Sequence, residues 1–158
     1  MNILINSIFL GLISTFIMDL FAYIKCRLFK TSSFNYALLG RWVLSLKDLK
    51  FFYSNITQAP SRKFERIIGW FLHYVIGVIL CFIYILIDDS KTCVDTFISS
   101  ILFGIATTST PFLIMQPILG FGFFANKTLN QWVSIKNSLI AHFYFGLGLF
   151  VAQFILKI

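Results

Sequence analysis

Residues 67–87 read Ile-Ile-Gly-Trp-Phe-Leu-His-Tyr-Val-Ile-Gly-Val-Ile-Leu-Cys-Phe-Ile-Tyr-Ile-Leu-Ile. No Asp, Glu, Lys or Arg interrupts this run. As a helix rising ~1.5 Å per residue it is long enough to cross a hydrocarbon layer of ~30 Å. His73 sits inside it, with Gly69 and Gly77 four residues to either side, and the spacing recurs at Ser138, His142 and Gly146. On a helix each triplet shares one face. A small residue on either side of an imidazole lets another helix come close to it.

Three further segments repeat the pattern outward from this one. Residues 3–24, 94–118 and 137–156 are apolar over comparable lengths. The chain is therefore expected to be all-α, a four-helix transmembrane bundle within a single membrane domain covering residues 1–158. Composition points the same way. Of 158 residues, 58% are hydrophobic and only 12% charged, whereas a soluble domain carries about 25% charged residues. A chain this short cannot hide so much apolar surface from water.

Lys25, Arg27, Lys30, Arg41, Lys47, Lys50, Arg62, Lys63 and Arg66 make nine of the thirteen basic residues. Beside membrane spans this cluster reads as a topology signal and an anionic-lipid contact rather than a nucleic-acid surface. By the positive-inside rule the 25–66 and 127–136 loops face the cytoplasm and both termini lie outside, the C-terminal one carrying Lys157. Residues 3–24 lack the basic start and small-residue cleavage site of a signal peptide. Within the first loop, Leu38, Leu39, Trp42, Val43, Leu46 and Leu49 recur at helical spacing, with Arg41, Ser45 and Asp48 opposite. This predicts an interfacial amphipathic helix. Pro111 predicts a kink in the third span, and Thr107 to Thr110 can satisfy the freed carbonyls. The Asn55 and Asn126 sequons fall in loops placed in the cytoplasm and read as chance matches. Cys26, Cys81 and Cys93 show no CxxC spacing, and neither a disulfide framework nor a cysteine zinc site follows from them.

The chain also reads as a helical hairpin used twice. Spans one and three carry Met18-Asp19 and Met115-Gln116, and spans two and four carry the small-x3-His-x3-Gly pattern. With odd spans running inward and even spans outward, the halves form a parallel repeat. Asp19 then lies ~8 Å from the cytoplasmic end of its span at ~1.5 Å per residue. His73, His142 and Gln116 fall at a similar depth. An Asp at the centre of a spanning helix costs roughly 2.5–3.5 kcal/mol on insertion scales.

Asp19, His73, Gln116 and His142 are thus the candidate site for an ion, a proton or a small solute. Two imidazoles, a carboxylate and an amide oxygen can take a divalent metal ion, and His with Asp can relay protons. The competing reading is a hydrogen-bonded cluster that holds four helices in register. Gly69, Gly77, Ser138 and Gly146 read as packing positions. A second function class is a non-catalytic scaffold or subunit of a larger complex, docking a protein partner or another copy on the basic loop, on Gly148 or on Gly120 and Gly122. Enzyme activity is the least favoured class, since HExxH, GxSxG and Walker patterns are absent from the sequence.

Several stretches together resemble a known family. They are Met18-Asp19-Leu20, Asn35 to Trp42, Gly69-Trp70 with His73-Tyr74 and Ile76-Gly77, Pro111-Phe112 with Met115-Gln116-Pro117 and Gly120, and Ser138-Leu139 with His142 and Phe145 to Leu149. The chain resembles a domain-of-unknown-function family of small four-span bacterial inner-membrane proteins. The resemblance implies that membrane and no assigned activity. It also suggests a histidine in relatives where this chain has Tyr53, which sets that loop position outside any shared site.

Overall fold

The computed structural model describes residues 2–31 and 33–156; Lys157 lies outside them. Among the described residues there are helices and no strand. The long helices are α1 (Ile3–Phe29), α3 (Glu65–Ile87), α4 (Cys93–Ala106) and α6 (Gln131–Leu156), with a short α2 (Ala37–Ser45) and a one-turn α5 (Gln116–Leu119). Between α4 and α5, Thr110–Met115 is π-helical. Among the described residues, four stretches are long and apolar enough to cross a membrane: Ile3–Phe29, Glu65–Ile87, Cys93–Leu119 and Gln131–Leu156.

Two compact units divide the described chain. The first comprises residues 1–33, 74–108 and 139–158, and the second residues 34–73 and 109–138.

The first unit is the helical bundle. Its core is Leu10 and Met18 of α1, Cys81 and Tyr84 of α3, and Phe145, Leu149 and Ala152 of α6, with Phe103 of α4 packed against them. The faces of α1 show which solvent this unit was built for. Asn6, Ser7, Gly11, Ser14 and Thr15 point inward, while Leu4, Phe9 and Phe16 are exposed. In water that arrangement would leave the large apolar side chains hydrated and bury hydroxyls, losing on both counts. In lipid the outward face costs nothing, and small inward residues let backbones approach. One close approach is between α4 and α6. A Cβ on Gly104 would lie 2.6 Å from the Gly146 Cα, so this crossing tolerates no side chain. On the other side Gly148 rests on α1, where a Cβ would meet the Ser14 Cα at 2.9 Å. The start of α4 is set by a capping box between Thr92 and Asp95, worth about 1 kcal/mol.

The second unit is stapled rather than greased. Arg41 of α2 is buried and forks onto Glu65 at the start of α3, with Nε to Oε2 and Nη2 to Oε1 both 2.8 Å. Its Nη1 donates to the Ile56 carbonyl at 3.1 Å and to the Ala59 carbonyl at 2.7 Å. Glu65 also accepts from the Arg62 backbone N–H at 2.8 Å. The Glu65 hydrogen bond holds the Arg41 guanidinium above its ordinary pKa against the effect of burial. A small apolar core of Leu38, Tyr53, Ile56 and Leu119 sits in this unit.

Three sequence expectations are corrected here. Arg41 and Ser45 were expected on the outer face of the amphipathic helix, yet both are buried. A helical wheel assumes that a charge seeks water, whereas Arg41 finds a carboxylate and two carbonyls. The loop before the last span is shorter than 127–136, because α6 begins at Gln131. Asn130 accepts from the Val133 N–H at 3.4 Å there, and a polar first turn is invisible to hydropathy. Gly148 and Gly120 are buried and offer no open face to a partner. Gly120 holds φ +87° and ends α5, and a Cβ there would strike Ser54.

Candidate functional site

The four polar residues singled out in the sequence belong to different units: Asp19 and His142 to the bundle, His73 and Gln116 to the second unit. Each acquires surroundings that local sequence does not reveal.

Asp19 is half-buried on the inward side of α1, beside buried Met18. The Tyr74 hydroxyl of α3 hydrogen-bonds to its carboxylate. One turn earlier on the same face lies Thr15, wholly buried. Its Oγ1 points at Gly77 of α3, whose missing Cβ leaves room for it. That hydroxyl has no hydrogen-bond partner among the described residues. A buried polar atom left in this state costs about 1–3 kcal/mol, so the position favours whatever can supply a partner.

His142 is half-buried on α6, and its Nδ1 lies 2.8 Å from the Thr107 Oγ1. The Thr107 hydroxyl also lies 2.6 Å from the Gly104 carbonyl. A hydroxyl has one proton and a carbonyl can only accept. Thr107 therefore donates to Gly104 and accepts from His142 Nδ1–H. This assigns a proton to Nδ1 of the imidazole.

His73 stacks on Tyr36, with ring centroids 4.0 Å apart and planes 23° apart, and meets the edge of Trp70 at 5.9 Å. Tyr36 is the residue that starts α2. Close approach of the two elements depends on Gly69, which faces the Tyr36 carbonyl. Gln116 is buried, and its Oε1 has no hydrogen-bond partner among the described residues. It follows the π-helical turn directly. Such turns insert one extra residue per turn, expose backbone carbonyls and recur at functional positions. Here Pro111, at the second position of the segment, removes a backbone donor and accounts for it.

Of the packing positions, Gly77 faces Thr15 and Gly146 faces α4 at Ser100 and Gly104. Ser138 is half-buried near the start of α6. Among the described residues, no three His, Cys, Asp or Glu side chains gather into a group that could hold a metal ion.

A second polar cluster in the bundle was not legible in the sequence. Tyr84 and Ser100 are buried, and the Tyr84 hydroxyl lies 2.8 Å from Ser99 and 3.3 Å from Ser100. Gln153 donates to Ser100 at 2.9 Å. Ser99 continues to Ser90 at 2.9 Å, and Ser90 donates to Asp88 at 2.6 Å. Single serines in apolar runs carry no sequence signal; only the packing of α3, α4 and α6 lines them up.

An all-helical chain with four apolar spans, lipid-compatible outer faces and an inward polar stripe is a multi-pass membrane protein. Its sequence matches the model of a family described as "Protein of unknown function (DUF2938)" over residues 8–156, and the chain belongs to that family. No curated protein and no solved structure matches it.

Proposed function

We propose that this protein handles a proton or another small cation within the bilayer, with Asp19 as the principal binding group. The observation that carries this reading is the buried, orphaned Thr15 hydroxyl one turn from Asp19. A carboxyl that accepts from a phenol, one turn from a buried unsatisfied hydroxyl, suits an exchangeable proton or a partly hydrated ion. His142, with Nδ1 engaged by Thr107, is a second candidate group in the bundle. His73 and Gln116, in the second unit, are two further candidate positions taken by themselves, and the Gln116 carbonyl oxygen is an acceptor there. A small solute recognised by the same groups belongs to the same reading.

The proposed location is the bacterial inner membrane, with both termini outside and the 25–66 loop in the cytoplasm, as the charge distribution argues. The alternative function, a scaffold or subunit working with a protein partner or a second copy, draws on the broad apolar surface of α1, where Leu4, Phe9 and Phe16 are exposed.

Proteoliposomes loaded with a pH-reporting dye test the reading. With an imposed membrane potential, the wild type should move protons or a supplied cation. Asp19→Asn should abolish that flux while unfolding within about 1 kcal/mol of the wild type. Flux that survives in the well-folded variant would remove Asp19 from the site. A wild type silent to protons and to every cation supplied would favour the scaffold.

A further inference from the structure

We infer that the second unit carries a two-pronged surface for anionic phospholipid headgroups, formed by the tips of the 46–52 and 62–66 segments. Each tip is a bulky residue in the left-handed backbone region: Leu49 at φ 54° and Phe64 at φ 67°. That region costs free energy for any residue with a Cβ, and more for large side chains. Glycine would relieve the strain. Instead both positions hold large apolar side chains, and both are turned outward, Leu49 being 78% and Phe64 59% exposed. Phe52 beside the first tip is 71% exposed. Strain retained at positions that display apolar side chains fits insertion of those side chains into an acyl boundary.

The charges fit the same occupant. Lys47 and Lys50 flank the first tip, and Lys63 and Arg66 flank the second; all four are exposed. The nearby acid Asp48 is taken up by Arg62, an ion pair that also ties one tip to the other. Lys50 and Lys63 lie over the Tyr53 and Phe64 rings at 4.2 and 5.0 Å, so each ammonium is held at the level of an aromatic. Cations at the height of aromatic rings match a layer with phosphates above and hydrocarbon below. The surface is continuous with lipid-facing side chains of the span itself. Ile67 and Phe71, in the first turns of α3, are 67% and 68% exposed. A soluble acidic protein would match the lysines but not the projecting Leu49, Phe52 and Phe64, and this favours the lipid surface.

Native mass spectrometry of the full-length protein, released from nanodiscs of equal phosphatidylglycerol and phosphatidylcholine, tests this. The wild type should retain phosphatidylglycerol selectively. Lys47→Gln/Lys50→Gln/Lys63→Gln/Arg66→Gln should lose that selectivity by at least about tenfold. Leu49→Ser/Phe52→Ser keeps every charge and should also retain less of both lipids. Both variants should melt within a few degrees of the wild type in lipid-free detergent, since the substituted side chains are exposed. Equal retention of the two lipids by the wild type, or unchanged retention in the charge-neutral variant, would overturn the inference. So would complete displacement of phosphatidylglycerol by soluble glycerophosphoglycerol, which would mean a headgroup pocket and not a membrane surface.

Discussion

Two carboxylates at helix-packing positions, Glu65 in the second unit and Asp19 in the bundle, are held in opposite ways. Glu65 meets a guanidinium fork with both oxygens and accepts a backbone N–H as well. Asp19 takes a hydrogen bond from the phenol of Tyr74, one turn from a hydroxyl with no partner. The first arrangement saturates its acid with a fixed cation and can only be structural. The second includes a neutral phenol donor and sits beside a buried hydroxyl that has no partner among the described residues. The same side-chain chemistry thus makes two different packing contacts, by choice of partner.

That contrast can be broken from the structural side first. Arg41→Ala leaves a buried carboxylate and two carbonyls without their donor, and should destabilise the protein by about 3 kcal/mol. Denaturant titration in mixed micelles, followed by tryptophan fluorescence, reads the loss. Glu65→Gln should cost less, because the amide still accepts one of the guanidinium bonds. If Arg41→Ala unfolds like the wild type, the staple is not what organises the second unit.

The bundle depends instead on bare backbone contact. Gly146→Val places a branched side chain where α4 passes, with the Ser100 carbonyl 2.6 Å from the new Cβ. Overpacking of this kind costs about 1–3 kcal/mol, and the same titration should show it. A neutral outcome would mean that α4 and α6 can separate freely at this crossing.

Asp19→Asn sharpens the comparison, since it alters charge at nearly constant shape. Its stability should change by less than about 1 kcal/mol, against the larger loss at Arg41, while proton or cation flux disappears. A loss of stability as large as that of Arg41→Ala would make Asp19 a second staple.

The effect at Thr107 is confined to one hydrogen bond. Thr107→Val removes the acceptor for His142 Nδ1–H and should cost about 1 kcal/mol. Nitrogen-15 NMR of labelled histidine should show the Nδ1–H tautomer in the wild type and in Thr107→Ser, and a mixture in Thr107→Val. A majority Nε2–H tautomer in the wild type would reverse the assignment.

Sequence by itself determined the solvent and the spans. Lipid demands long uncharged runs, and the run around His73 announces itself without any fold. It also marked Asp19, His73, Gln116 and His142, because a polar group in such a run is costly enough to be informative. Span ends were less legible. Hydropathy registers where a helix meets lipid and not where it stops, so the polar first turn of α6 at Gln131 went unread.

Tertiary structure alone decided which partner each polar group meets. Tyr74 reaches Asp19, Thr107 reaches His142 and Tyr36 covers His73. Arg41 turns inward against its helical wheel, and Ser99, Ser100, Tyr84 and Gln153 join across three helices. The reason is one of range. Burial in lipid is a property of each side chain along a single helix, so a one-dimensional pattern records it. A hydrogen bond between helices depends on the register at which glycines such as Gly77, Gly104 and Gly146 let two backbones meet, and that register is written in no single stretch of the chain.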